Sequence, residues 1–321
     1  MLVPPKPLND AQMRGSFFFI YTIMKIPFTK PYVKSNDLVN LLKSRGLIVA
    51  DSARAQKYLD YIGYYRLSAY MYPFLKTPKT DHIFKANVTF ENILTIYRFD
   101  KKLRLLIFNE LEKIEVAIRS VIISTVCEET NDSFWITNGS NFVNTTNFSN
   151  TILKIDNELQ HSHEEFISHF QSTYTDVYPP AWILAEILTF GTIVNIYNNL
   201  KNKRIKKIIA QKFGLQAIPF QSWLTIITLT RNACCHHQRV WNKQNTIRPT
   251  IPASTHYPWL TLPSDPLRIY FNLSIIKYFL NIISPQNDMR GKLLKHLSDF
   301  PNIDTAAMGF PQGWENEAVW R

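Results

Sequence analysis

The sequence predicts an all-α protein, and three observations support this. Apolar residues recur with the helical period of about 3.6 residues, most clearly between residues 90 and 126. Only 9 glycines occur in 321 residues, which disfavours β-rich folds with many tight turns. Strand-like alternation is confined to residues 80–88, where a short strand or hairpin is an open alternative. We therefore expect an N-terminal helical lobe packed on a helical bundle.

The N-terminal lobe is predicted to hold two short helices. Their expected bounds are residues 37–44, with Ser35 or Asn36 as the N-cap, and residues 52–61, with Asp51 as the N-cap. Gly46 suits the end of the first helix, because glycine adopts the left-handed conformation that closes many helices. We assign the lobe to residues 24–89.

The longest helix is predicted to run from about residue 90 to residue 126. Thr89 suits its N-cap, and Asn92 stands where a capping box prefers Glu or Gln. Its apolar residues share one side, so they are expected to be buried. Its charged residues, Glu115 among them, fall mainly on the opposite side and are expected to face solvent.

The rest of the chain is predicted to be helical with one polar loop. Residues 131–150 are rich in Asn, Ser and Thr, which favours turns. Further helices are expected over residues 151–174, 180–200, 201–212, 221–240 and 265–283. Residues 90–285 are assigned to one helical domain, and residues 286–321 to a C-terminal docking tail.

The N-terminal 23 residues are interpreted as a poorly ordered upstream extension. The apolar run from Ser16 to Met24 resembles a signal-sequence core. However, it is too short to span a bilayer, and the small residues of a cleavage site are missing. Only three cysteines occur, two of them adjacent, which argues against a disulfide framework and favours the cytoplasm.

Positive charge is concentrated in one quarter of the chain. The net charge is +11, and residues 187–264 contain ten Lys and Arg residues but no Asp or Glu. A local excess of this kind attracts phosphates, so a nucleic-acid-binding surface is the favoured interpretation. A membrane surface is the weaker alternative, because no long amphipathic helix with free aromatics accompanies the charge. The residues assigned to RNA binding are Lys201, Lys203, Arg204, Lys206, Lys207, Arg239 and Lys243.

The candidate site lies in this basic quarter, at residues 231–237 (Arg-Asn-Ala-Cys-Cys-His-His). On a helix, Asn232 and His236 share a face, Arg231 leans over the same edge, and His237 is turned away by about 100°. Arginine offers a fixed set of donors to phosphate oxygens, and histidine exchanges a proton near neutral pH. RNA supplies its own nucleophile, the 2′-hydroxyl, so this chemistry needs no metal and no cofactor. By itself, a histidine five residues after an arginine occurs often by chance, so this spacing is weak evidence for a nuclease.

Other interpretations of these residues are weaker. Adjacent Cys and His side chains cannot all reach one tetrahedral ion from a helix, and no CxxC is present, which disfavours a metal site. A Cys/His hydrolase is disfavoured because Cys234 and Cys235 are expected to pack inward. Glu186 either orients Arg231 or His236 or forms a structural ion pair. The segment Tyr64-Tyr65-Arg66 is expected to pack rather than to stack on RNA bases.

Several sequence blocks, in a fixed order, carry a family resemblance. They are Gly46 to Ile48, Ala53 to Leu59, Ile62 to Ser68, Tyr97 to Arg104, Glu112 to Arg119, Trp182 with residues 186–191, Arg231 to Asn242, and residues 308–321. Together they resemble the Abi-like family of abortive-infection proteins (the AbiD and AbiF type), whose C-terminal part belongs to the HEPN superfamily. The resemblance covers almost all of residues 24–321. Cys235 departs from the alanine that is common in the family, but cysteine is also small and apolar.

The resemblance implies a HEPN-type helical bundle and a metal-independent endoribonuclease of the R-x4-H type. These motif residues map to Arg231 and His236, with Asn232 and His237 in support; His237 is the alternative base, since R-x5-H also occurs in the superfamily. A second copy usually completes such a site, so a homodimer is expected. A small non-coding RNA is a further implied partner. The competing hypothesis is a regulatory protein that binds RNA without cutting it.

Overall fold

The computed structural model describes residues 27–29 and 31–321. In these residues it contains twelve α-helices and no β-strand, so the all-α prediction is confirmed. The predicted extension at residues 1–23 lies outside the described residues. The helices are α1 (Ser35–Ser44), α2 (Ser52–Ile62), α3 (Tyr64–Met71), α4 (Phe90–Thr130), α5 (Thr145–His161), α6 (Glu165–Thr173), α7 (Ala181–Ile187), α8 (Phe190–Asn199), α9 (Lys203–Lys212), α10 (Ala217–Cys235), α11 (Ile269–Ile283) and α12 (Met289–Ser298).

Helix α4 lies at the centre of the fold. Thr89 is the N-cap, as predicted, and a capping box forms although Asn92 replaces the usual Glu or Gln: Thr89 Oγ1 accepts from the amide of Asn92, and Asn92 Oδ1 accepts from the amide of Thr89. The helix ends four residues later than expected, where Asn131 adopts a left-handed backbone with φ of 50°. Its apolar side is buried against α3 and α7 to α12. Burial of apolar surface of this kind is the main favourable contribution to folding.

The N-terminal helices match the expectation in part. Asp51 caps α2 by accepting from the amide of Arg54 at 2.9 Å, as predicted. The N-cap of α1 is Lys34 without a side-chain bond, so the assignment of that cap to Ser35 or Asn36 is wrong. Gly63 separates α2 from α3 with φ of 87°, a conformation that a side chain would strain. Helix α3 then packs on α4.

Residues 80–88 form no strand, so that alternative is wrong. Phe84 makes an isolated bridge to Leu75, and the neighbouring Thr89 makes one to Ile48. Phe84 and Val88 in this segment are buried, and they hold the irregular backbone against the core.

Several helix bounds differ from the prediction because local caps interrupt the apolar pattern. Helix α5 begins within the predicted loop, capped by Asn144. The expected helix over residues 180–200 is two helices, because Thr189 caps α8. Helix α12 lies within the segment assigned as a docking tail. None of the described helices combines the length and apolar character that a bilayer crossing requires.

The last residues are fixed to the bundle by buried polar contacts. Trp320 is fully buried, and its indole donates to Ser274 Oγ on α11 at 3.2 Å. The Glu317 carboxylate accepts from the backbone amides of Thr261 and Leu262 at 2.9 and 2.5 Å. These bonds hold the irregular crossing before α11 and the C-terminus together.

His296 on α12 is expected to make stability depend on pH. Its ring stacks on Phe99 of α4 at 4.4 Å and is 6% exposed. Burial, with a smaller contribution from the charge of Lys102, lowers its pKa from 6.5 to about 4. The unfolded chain therefore takes up this proton first, so the contribution is full above pH 6.5 and is lost as the pH falls toward 4.

The measurement is the free energy of unfolding between pH 4 and pH 7 for the chain and for His296→Phe. Phenylalanine keeps the apolar contact and cannot be protonated. The chain should lose about 3 kcal/mol relative to this variant as the pH falls from 7 to 4. Parallel curves for the two proteins would contradict the prediction.

Candidate functional site

Helix α10 ends within the candidate motif rather than after it. The His237 amide donates to the carbonyl of Cys234 at 3.1 Å, and the Gln238 amide donates to the carbonyl of Ala233 at 2.8 Å. This pair of bonds is the Schellman motif that closes helix C-termini. His237 takes the left-handed position with φ of 54°.

The predicted end of this helix at residue 240 is therefore wrong. Glycine usually marks such a helix end, whereas here a histidine occupies the left-handed position at some cost in backbone energy. The backbone still keeps one further helical bond, from the His236 amide to the Asn232 carbonyl at 2.9 Å. Asn232 and His236 thus lie one turn apart on the same side, as predicted.

Arg231 is held by a carboxylate that the sequence placed on the solvent side of α4. Its Nε donates to Glu115 Oε2 at 3.2 Å, and its Nη1 to Asn232 Oδ1 at 3.4 Å. The Arg231 side chain is 30% exposed and that of Glu115 is 16% exposed. Nη2 has no acceptor among the described residues. The guanidinium is therefore held through Nε and Nη1, while the Nη2 donors remain available to an anion.

His236 occupies the open end of this arrangement. It follows the last residue of α10, is exposed, and makes no side-chain hydrogen bond with the described residues. Along the helix axis it lies about 7.5 Å from Arg231. The two side chains lie at the same end of α10, about 140° apart around its axis, with Asn232 between them.

Glu186 lies outside this group. Its carboxylate is 3.9 Å from Arg119 Nη1 and is 64% exposed, and it contacts neither Arg231 nor His236. Arg119 also donates to Glu115 Oε1 at 3.3 Å. Glu186 is thus connected to Arg231 only through Arg119 and Glu115.

A buried carboxylate anchors the chain that follows His237. Asp100 of α4 accepts from the amides of Val240 and Trp241 at 3.1 and 2.7 Å, from Tyr70 OH at 2.6 Å, and from Arg104. Burial raises the pKa of Asp100, and these four donors oppose that rise. The motif is therefore joined to α3 and α4 through a fully buried ion pair.

Two arginines add contacts between the motif and α3. Arg66 Nη1 donates to the His237 carbonyl at 2.6 Å, and Arg239 Nη1 donates to the Ala69 carbonyl at 3.1 Å. In the segment expected to pack, Tyr64 does pack against the core, whereas Tyr65 is 92% exposed, so the expectation is wrong for Tyr65. The left-handed turn at His237 is thus braced by one side chain from α3, Arg66, and by the bond of Arg239 to the backbone of that helix.

A groove of about 690 Å³ lies beside His237. Besides this histidine, its lining includes Tyr61, Arg66 and Lys101. Cys234 is buried as predicted, and burial raises the pKa of its thiol to about 12, which leaves little thiolate at neutral pH. Within the described residues, no three His, Cys, Asp or Glu side chains converge as metal ligands.

The predicted RNA-binding residues fall into two groups along the chain. The first group lies where α8 meets α9, and the second follows the end of α10. Lys206 connects the first group to the start of α10 by donating to Gln221 Oε1 at 3.3 Å. The first group contains Lys201, Lys203, Arg204, Lys206 and Lys207; the second contains Arg239 and Lys243.

A comparison with protein families matches residues 57–242 to the family described as Abi-like protein. The chain belongs to the Abi-like family. The match covers more than half of the chain, from α2 to the segment that Asp100 anchors. It therefore contains Arg231, Asn232, His236 and His237, whereas Lys243 of the second basic group lies one residue beyond it. No curated protein and no solved structure matches this Abi-like chain.

Sequence reasoning missed the residues that support this Abi-like site. Asp100 and Arg104, like Glu115 and Arg119, are opposite charges four residues apart on α4. That spacing is common on solvent-exposed helix faces. In the sequence, the pair of Asp100 and Arg104 differs from a surface pair only in its apolar neighbours Phe99 and Leu103. Both neighbours are buried in the structure.

Proposed function

We propose that this Abi-like protein is a metal-independent endoribonuclease of the HEPN type, of the AbiD and AbiF subgroup, that acts in phage defence. The observation that carries the proposal is the end of α10, where the unengaged Nη2 of Arg231 and the exposed His236 flank Asn232. Arg231 stabilises the charge that develops on the phosphate. His236 moves the proton of the attacking 2′-hydroxyl or of the leaving 5′-oxygen.

The scissile bond breaks by attack of the RNA 2′-hydroxyl oxygen on the adjacent phosphorus. The new P–O bond gives a 2′,3′-cyclic phosphate, and the bond to the 5′-oxygen breaks. The proton lost by the 2′-hydroxyl is balanced by the proton that the 5′-oxygen gains. Glu115 holds Arg231 in place, and the Asp100 anchor holds the turn after His236.

A second copy of the chain is proposed to complete the site. Leu105, Phe108 and Val116 are exposed on one face of α4, and this face adjoins Glu115. Exposed apolar side chains beside a site are typical of surfaces that bind another protein. Pairing across this face would bring two Arg231/His236 edges toward one phosphate. A small non-coding RNA is a further proposed partner.

The alternative function is RNA binding without cleavage. The Glu115 carboxylate favours it, because it neutralises part of the Arg231 charge that a phosphate would otherwise meet. The basic groups around α9 and after α10 serve either function, since both predict salt-sensitive binding.

The deciding experiment is incubation of end-labelled total RNA with the purified chain in the presence of EDTA. We expect cleavage that leaves 2′,3′-cyclic phosphate and 5′-hydroxyl ends, detected by end-specific ligation and sequencing. Binding without new ends would favour the alternative function. Cleavage that EDTA abolishes would show that a metal is required and would refute the proposed mechanism.

A further inference from the structure

A groove lined by amides lies beside helix α9, and the proposed cleavage chemistry does not use it. It is bounded by α5, the end of α8, α9 and the first turns of α10, and its volume is about 640 Å³. This size is typical of pockets that hold small ligands or parts of larger ones. Asparagine and lysine dominate its lining, which contains no acidic residue.

Two exposed helix faces form its walls. Asn147, Asn150 and Lys154 recur three and four residues apart on α5, so they share one side of that helix. Asn195 and Asn198 are three residues apart on α8 and also line the groove. Amides therefore reach the groove from both sides.

Some of these amide side chains are hydrogen-bonded within the protein, and others have no hydrogen-bond partner among the described residues. Asn199 bonds both backbone polar atoms of Asn144, at 2.8 and 2.9 Å, and so fixes the start of α5. In contrast, Asn150 and Asn195 are exposed and make no side-chain hydrogen bond with the described residues. Asn198 Oδ1 is buried without a partner among them. A buried acceptor of this kind is costly unless a ligand supplies a donor.

Lys206 is a half-buried cation without a counter-ion at this groove. Its Nζ donates to the Asn198 carbonyl at 3.0 Å and to Gln221 Oε1 at 3.3 Å, but no carboxylate of the described residues pairs with it. Burial lowers the pKa of Lys206, as expected for an ammonium group taken out of water. An anionic ligand would offset that cost.

We propose that this groove binds a nucleotide segment of single-stranded RNA. Its phosphate lies on Lys206 with Lys201 and Lys203, and its base is read by the free amides on α5 and α8. Each amide carries a donor and an acceptor, which is what recognition of the edge of an unstacked base requires. This inference takes RNA as the ligand from the proposed function. It does not require that the protein cleaves RNA.

The groove also lies where an RNA chain bound at the candidate site can reach it. Gln221 lines the groove ten residues before Arg231 on α10, about 15 Å away along the helix axis. The groove would therefore hold RNA a short distance from the bond that is cut.

The test measures RNA affinity in the full chain with His236→Ala, so that binding is observed without turnover. Asn150→Asp together with Asn195→Asp removes two amide donors and adds charge that repels phosphate. We expect binding of a fluorescent single-stranded oligoribonucleotide to weaken about tenfold or more. The matched control is Asn36→Asp with Asn40→Asp, the same charge change at two exposed positions of α1, which should shift affinity by no more than about twofold.

A second measurement tests whether Lys206 contacts a phosphate of the bound RNA. Lys206→Gln should make the slope of log affinity against log salt shallower by about 0.7, the contribution of one phosphate contact in single strands. Lys57→Gln, at an exposed position of α2, should leave the slope unchanged.

The outcomes separate this proposal from the proposed function. Equal RNA affinity in the groove variant and its control would overturn the groove assignment, whether or not the unsubstituted chain cleaves RNA. Cleavage is measured separately, so its failure leaves the binding result intact. If adenosine 5′-monophosphate binds as tightly as the oligoribonucleotide, and only the groove variant loses it, the ligand is a free nucleotide and the RNA assignment is wrong.

Discussion

Replacing His236 with alanine is expected to lower the rate of RNA cleavage by about 10² to 10⁴-fold, the usual contribution of a general acid–base group. The imidazole is exposed at the end of α10 and bonds no other side chain of the described residues. Its removal should therefore leave the fold intact, so the loss of rate reports chemistry. The measurement is the initial rate on one oligoribonucleotide in EDTA, with a melting curve for each protein.

The matched control is His237→Asn. Asparagine tolerates the left-handed backbone that residue 237 adopts, so the helix end is preserved while the imidazole is lost. This variant should cleave RNA at close to the parent rate. If His237→Asn is inactive and His236→Ala is active, the proton is moved by His237, and the assignment to His236 is wrong.

Replacing Asp100 with alanine is expected to cost about 3 to 5 kcal/mol of stability, because it leaves a buried guanidinium without its counter-ion. Arg104 is 5% exposed, and the amides of Val240 and Trp241 lose their acceptor as well. The loss should lower the melting temperature by about 5–10 °C. Denaturant unfolding followed by circular dichroism measures it.

Two further variants show whether the loss comes from the buried pair. Asp299→Ala removes a carboxylate from an exposed pair with Lys295 and should change stability by less than about 0.5 kcal/mol. Asp100→Leu combined with Arg104→Met removes both charges and should be more stable than Asp100→Ala. An Asp100→Ala protein as stable as the parent would show that the anchor contributes nothing.

Helix interiors could be predicted from the sequence more reliably than helix ends. Helix α4 was found because its apolar residues repeat over many turns and Thr89 caps it in any tertiary context. The end of α10 was missed because no glycine marks it; His237 is left-handed there, in a turn that Asp100 and Arg66 hold from outside. Such an end depends on contacts between distant parts of the chain.

The candidate site could likewise be predicted from the sequence only in part. Arg231, Asn232 and His236 could be placed on one side of α10 from local spacing, because one helix fixes their relative positions. The partner of Arg231 could not be predicted, since Glu115 precedes it by 116 residues and meets it only where α4 packs on α10. For Glu186 the sequence left two alternatives open, orienting Arg231 or His236 or forming a structural ion pair, and its carboxylate lies 3.9 Å from Arg119.

Local sequence established the all-α fold class, the central helix and the concentration of positive charge. These features follow from residue spacing and composition, which do not depend on how the helices pack. The carboxylate on Arg231 and the buried anchor after His237 depended on tertiary structure. Each of these joins α4 to groups more than a hundred residues away in sequence, and only the packing of the chain brings them within hydrogen-bond distance.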